Sequence, residues 1–419
     1  MLLKSLQATV LGAAIALCAP FFSVSAQQQT QAQAPPQTQA PVFRSTVELV
    51  RVDVSVVTKD GVPVLGLGVD DFEVWLDGRK RRIVSAELES FGHDPDGPDR
   101  TTILRTPGRV PDDARVFILA FDQLGLGAGA VMPVREAVRR FLNQLRPQDM
   151  VAMYEFPFRV GLLDITHDHR QVSRALDRVL GMRQLDRGLY SLLPSEITEI
   201  TASDADTLQR VASRECFAGD IGCPDAIRME AHGLASSLET EAGQRLGELS
   251  RLAQSLSGIQ GRKTIVLISG GMLSSMRPGG RPDMRTLMAS VGAGIANAQA
   301  NLYVLHLDTT FSEAYSAAAR TSYRSSDRFE RLADDRLVVT NGLEQLASRA
   351  GGKLFSVEAG EPDFAFNRIL QEMRAYYVLG VEPDDLDRDG KEHYIRVETT
   401  AQGATVRSRS QVVIPKKKL

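Results

Sequence analysis

Three apolar runs in this sequence end on residues whose types could do chemistry. Residues 116–121 run into Asp122, residues 264–268 into Ser269-Gly270-Gly271, and residues 302–307 into Asp308. A carboxylate or hydroxyl at the carboxyl end of a buried strand can hold a cation, take a proton or receive a donor from a ligand. Open α/β sheets bind their ligands along that edge. Asp122 is followed by Gln123 and a glycine-rich stretch, LGLGAG, so its neighbourhood is a turn through which backbone can approach a ligand closely.

Other patterns are weaker. Gly125, Gly127 and Ala130 fit G-x-G-x-x-A, the dinucleotide fingerprint, but three residues separate the first glycine from the strand. The motif needs that glycine at the strand end. The next strand's acidic residue, Glu155, also lies thirty positions after Gly125, where the motif expects about twenty. Thr166-His167-Asp168-His169 suggests a metal cluster, yet residues two apart at a helix start do not face each other, and Asp168 is placed to cap the helix. No G-x-S-x-G, H-E-x-x-H or P-loop lysine motif occurs. The sequence therefore offers no constellation for catalysis, and the expectation is a protein that is not an enzyme.

The elements that position these residues follow from periodicity. A fully apolar run such as 116–121 fits a strand buried on both faces of a parallel sheet. After it, apolar residues at 131, 134, 138, 141, 142 and 145 give a helix with one buried face. Strand-like runs at 149–155 and 159–165 are separated by three residues, which forces an antiparallel pair and puts the second at a sheet edge, running away from Asp122. A helix carrying Leu234, Leu238, Leu246, Leu249, Leu252 and Leu256 precedes the strand at 264–268. A helix at 284–298 precedes the strand at 302–307, and the alternation closes with a helix at 341–350, a strand at 353–357 and a helix at 361–374. Residues 183–232 and 309–338 show little period and read as insertions.

β character returns at both ends. Alternating Val50, Val52, Val54 and Val56, then 72–76 and 82–89, form one thin module, and strands at 376–381, 393–399 and 405–414 form another. Neither buries enough alone, so the two are expected to pair into one sandwich. The fold expected is α/β: a doubly wound, mostly parallel, Rossmann-like sheet over 114–374, flanked by a small β-sandwich built from 44–92 and 375–415.

The first 26 residues combine Lys4, an apolar stretch and Val24-Ser25-Ala26, the pattern of a secretory signal peptide cut near Ala26. Residues 27–43 are Gln, Ala and Pro without period, a disordered linker. No later segment approaches the roughly 18 apolar residues of a membrane span. Of the 3 cysteines, Cys18 falls in the signal, and Cys216 and Cys223 form a close pair. In an oxidising, secreted or periplasmic setting that pair is most simply a disulfide. The formal net charge of -3 over 419 residues argues against a nucleic-acid partner.

Taken in order, a strand ending in Asp122, a helix, a β-hairpin and a strand ending in Ser-Gly-Gly resemble a von Willebrand factor A (VWFA) domain. The flanks VDVSVVTKDGVPVLGLGVDDFEVWLDG and YYVLGVEPDDLDRDGKEHYIRVETT resemble those of bacterial secreted "VWFA-related domain" proteins. The resemblance implies a protein-interaction module with a divalent cation at the carboxyl rim. Its metal motif is D-x-S-x-S, a later threonine and a later aspartate. Here Asp122 holds the first place, Leu124 and Leu126 fall on the serines, Gly270 falls on the later aspartate, and Thr198 and Thr201 in the 183–232 insertion are candidates for the threonine. The expectation is a degenerate site with no cofactor, or at most weak Mg²⁺ at Asp122. Asp122, Gln123, Ser269, Gly270 and Asp308 would then form a ligand-binding rim for a protein partner. The alternative is a structural or assembly factor of the cell envelope acting through the β-sandwich.

Overall fold

The computed structural model describes residues 48–91, 114–157, 161–183, 188–259, 261–310, 325–358 and 362–416. The expected signal peptide and the 27–43 linker lie outside them. The central strand β4 (Val116–Asp122) is buried along its whole length. Its side chains alternate. Phe117, Leu119 and Phe121 enter one apolar cluster, and Val116, Ile118 and Ala120 enter another on the opposite face. A continuous apolar run is what a strand covered on both sides requires.

β4 sits inside a six-stranded sheet of order β6-β5-β4-β7-β8-β9, with β5 (Met150–Phe156), β6 (Gly161–Thr166), β7 (Lys263–Ser269), β8 (Ala300–Asp308) and β9 (Lys353–Glu358). All neighbours are parallel except the edge pair β5/β6, which the short connection makes antiparallel. Helices α1 (Ala128–Gln144), α2 (His169–Ala175) and α8 (Asp363–Glu372) contribute buried side chains to the first face. The second face is covered by α5 (Cys223–Leu256), α6 (Arg285–Asn297) and α7 (Ser325–Arg349). Asp168 caps α2, its Oδ1 accepting from the amides of Arg170 at 3.0 Å and Gln171 at 3.2 Å, so the His-Asp-His group there is a helix start.

The first expected insertion is more ordered than its sequence suggests. It folds into α3 (Pro194–Thr201) and α4 (Ala205–Glu215), and α5 begins at Cys223, eleven residues before the leucine stripe. These helices enclose a separate apolar cluster of Leu192, Ile197, Ile200, Val211, Ile227 and Ala231. Within the second expected insertion, the described residues from 325 onward are the first half of α7, which is far longer than the helix expected at 341–350.

The N- and C-terminal strands do pair, but as one curled sheet where stacked layers were expected. The order is β12-β1-β10-β3-β2-β11-β13, built from β1 (Val50–Val57), β2 (Phe72–Leu76), β3 (Arg79–Ser90), β10 (Ala375–Glu382), β11 (Glu392–Thr399), β12 (Thr405–Ser408) and β13 (Gln411–Val413). Chain reach explains the curl. Laid flat, β12 and β11 would stand five spacings apart, about 24 Å, whereas the six residue steps from Thr399 to Thr405 span at most about 21 Å. The sheet closes on Val52, Val54, Val74, Leu76, Leu379 and Ile395, all nearly inaccessible. It is joined to the α/β half at Glu372, which is fully buried and accepts from Arg368 Nε at 3.1 Å, Tyr303 OH at 3.1 Å and the Arg407 guanidinium.

Candidate functional site

Strand register assembles the carboxyl rim. Phe121 lies opposite Ile268, Ser269 opposite His306, and His306 opposite Ser356, so Asp122, Ser269 and His306 stand at the same level on three adjacent strands, with Asp308 two residues further along β8. Asp122 is 1% exposed. Its Oδ1 accepts from the Gly125 amide at 3.0 Å, and its Oδ2 accepts from Ser269 Oγ at 2.6 Å. The glycine loop thus turns an amide toward its own aspartate. The Gly270 amide in turn donates to the Gly125 carbonyl at 3.0 Å, knitting the two loops together.

The decisive partner of Asp122 is a residue the sequence reading did not single out. Arg245 of α5, 4% exposed, donates from Nη2 to Asp122 Oδ2, to the Gly271 carbonyl at 2.7 Å and to Ser269 Oγ at 3.3 Å. Its Nη1 reaches Glu241 Oε1 at 3.3 Å. A signal for it existed. Buried positions 242, 246, 249, 253 and 256 follow a three-four spacing along α5, and Arg245 lies on the same stripe, three positions after Ala242 and four before Leu249. A charged side chain on an apolar stripe needs a buried counter-charge, and Asp122 is that charge.

The other rim residues are also committed. Gln123 is buried, donating from Nε2 to Glu155 Oε2 at 3.2 Å and accepting from the Leu180 amide at 3.0 Å. Asp308 accepts from the Thr310 amide at 3.0 Å and pairs with Arg336 at 2.5 Å. Burial disfavours its ionised form, but the Thr310 hydrogen bonds and Arg336 outweigh that and hold its pKa below the ordinary carboxylate value. His306 is buried, with Nδ1 2.9 Å from Ser356 Oγ. Its pKa is pushed down to about 4, first by burial and then by Arg183 and Arg336, against the opposing pull of Asp308.

A divalent cation at Asp122 does not fit these residues. Mg²⁺ takes six oxygens in near-octahedral array at about 2.0–2.1 Å. Here one carboxylate is present and a guanidinium already neutralises it. Leu124 and Leu126 bring no oxygen, and Gly270 can bring no side chain, since a Cβ there would lie 2.1 Å from the Gly125 carbonyl oxygen. The threonines are elsewhere. Thr198 Oγ1 donates to the Ser195 carbonyl at 2.8 Å and Thr201 Oγ1 to the Ile197 carbonyl at 2.8 Å, both within the turns of α3. Among the described residues, no group of three or more His, Cys, Asp or Glu side chains could hold a metal ion.

Beyond the rim stands a helical arm. From Arg245 back to Cys223, α5 extends about 33 Å at 1.5 Å per residue, with α3 and α4 packed along it. Cys216 and Cys223 are disulfide-bonded at its far end. The loop they close carries Phe217, 87% exposed, and Ile221, 93% exposed. Ion pairs tie the arm back, Glu199 of α3 accepting from Arg277 at 3.0 Å and from Arg331 of α7 at 3.0 Å, and within the arm Glu196 of α3 accepts from Arg214 of α4 at 2.7 and 3.0 Å.

No protein-family model matches the chain, and no curated protein matches it. Similar solved structures include the SpRpn10 VWA domain, with 10% sequence identity and a TM-score of 0.26 over 62% of this chain and 94% of that one. The ArnB paralog VWA2 from Sulfolobus acidocaldarius is similar at 8% identity and a TM-score of 0.27, over 87% of this chain and 76% of that one. The human COPII-coat protein Sec24c is similar at 6% identity and a TM-score of 0.30, over 74% of this chain and 45% of that one.

Proposed function

We propose that this is an extracytoplasmic, non-enzymatic binding protein, and that it takes a protein partner on the helical arm raised from the carboxyl rim of a VWFA-like domain. The observation that carries this reading is the pair Phe217 and Ile221. Two large apolar side chains stand almost wholly in solvent on one short loop, and a disulfide fixes that loop. Clustered exposed apolar residues mark binding surfaces, and aromatic anchors carry much of an interface's energy. A loop already closed loses little conformational freedom when it binds. The disulfide is also compatible with an oxidising compartment, and among the described residues no helix is long and apolar enough to cross a membrane. The commitment of Asp122 to Arg245 supports the absence of catalysis at the rim, because this carboxylate beside the glycine loop is buried, paired with a cation and already accepting from Ser269 and the Gly125 amide.

The test is capture from envelope extracts by the purified mature protein, run beside Phe217→Ser/Ile221→Ser and beside a surface control, Leu386→Ser. A protein retained by the parent and the control but lost with the loop variant is the expected result. Equal capture by all three would refute the arm as the binding surface.

A further inference from the structure

The resemblance of this domain to metal-binding A-type domains and the chemistry of its residues disagree, and the disagreement has a specific form. We propose that Arg245 is the resident cation of the rim: its guanidinium occupies the place beside Asp122 where a divalent ion is implied, so the rim and arm hold a single metal-independent arrangement. This goes beyond the binding role and does not depend on any partner.

Three observations carry it. First, Arg245 Nη2 lies among three oxygens, Asp122 Oδ2, Ser269 Oγ and the Gly271 carbonyl, as an ion would. Second, the space around the pair is closed. A Cβ on Gly125 would come within 2.3 Å of Asp122 Oδ2 and 2.8 Å of Arg245 Nη2, and Gly270 is sealed against the Gly125 carbonyl. A metal with its waters would have to expel the guanidinium or share one buried site with a second positive group. Third, Arg245 belongs to the helix that builds the arm, so the bond that neutralises Asp122 also ties the arm to the sheet. A metal in that place could come and go with solution conditions. A guanidinium borne by α5 is covalently tethered and cannot leave.

Titration of the mature protein with Mg²⁺ and Mn²⁺, by calorimetry and by thermal melting with and without EDTA, tests the first half. No heat of binding and no shift of the melting midpoint are expected. Micromolar binding that Asp122→Asn abolishes would overturn the proposal. Variants test the second half. Arg245→Gln leaves Asp122 buried and uncompensated and should lower the melting midpoint, whereas Asp122→Asn/Arg245→Gln removes both charges and should recover much of the loss. If the double variant is no better than Arg245→Gln, charge compensation is not what Arg245 supplies, and the proposal fails. Should Arg245→Gln not fold, Arg245→Lys keeps a cation at the site and is expected to fold and to stay indifferent to Mg²⁺. Acquired Mg²⁺ binding by Arg245→Lys would count against it.

Discussion

The α-carbon of Gly270 stands so close to the carbonyl oxygen of Gly125 that a Cβ there would lie 2.1 Å from it, and the two residues also share a hydrogen bond of 3.0 Å. The obstacle is backbone, which cannot swing aside as a side chain could. Gly270→Ala should therefore cost about 3 kcal/mol or slightly more, the upper range for overpacking, and Gly270→Asp at least as much. Gly129→Ala is the control. Nothing lies within 4 Å of a Cβ there, and the position is in α1, so about 0.5–1 kcal/mol of stabilisation is expected from helix propensity. Urea denaturation of the three proteins checks both signs.

Burial of His306 makes stability depend on pH. Its pKa falls from 6.5 to about 4 on folding, so the folded state binds the proton less readily than the unfolded chain. The contribution is complete above about pH 6.5 and is lost as the pH falls toward about 4, amounting to at most about 3 kcal/mol. His306→Gln should flatten the urea midpoint against pH over that window and leave the slope below it, where carboxylates such as Asp149 protonate. An unchanged slope between pH 6.5 and 4.5 would mean that His306 titrates normally.

Glu372 joins the two sheets through Arg368, Tyr303 and Arg407 while fully buried. Removing one partner of a buried ionic cluster costs about 3–5 kcal/mol because the remaining charges lose their compensation. Glu372→Ala should lower stability by that amount. Glu372→Gln, which keeps a hydrogen-bonding side chain of the same shape, should cost less. The ordering of the two urea midpoints is the measurement.

The Cys216–Cys223 bond spans seven positions in sequence. Closing so short a loop is worth roughly 2.5 kcal/mol by chain entropy. Cys216→Ser/Cys223→Ser should lose about that much in urea denaturation and should also weaken partner capture, since Phe217 and Ile221 would no longer be held together. Retained capture with lowered stability would separate the loop's two roles.

Much of the α/β half was legible because its signals are local. The unbroken apolar run of β4, the short connection before β6 and the capping Asp168 each dictate one structure. The pairing of the terminal strands followed from the thinness of each module. The curl did not, because it depends on how five spacings compare with the reach of one short turn. The arm was obscured by its charges. In α3, Glu196 and Glu199 interrupt the apolar period, and what makes them tolerable inside the protein is Arg214, Arg277 and Arg331, far away in sequence. Arg245 was missed for the same reason. A lone arginine on a helix reads as solvated until Asp122, 123 positions earlier, is placed beside it.

In the curled sheet, Val50 is paired with Val381 and Phe72 with Thr399, so neighbours across a hydrogen-bonded ladder come from opposite ends of the chain. β1, β2 and β3 are made first and yet have no complete core until β10 and β11 exist. During synthesis the early strands must wait, with their apolar faces open, through roughly three hundred intervening residues. A chain cut short anywhere in the α/β half would leave those faces uncovered. The last sheet to close is thus a seal that only full-length molecules can make, and it divides finished chains from unfinished ones by the surface they leave exposed.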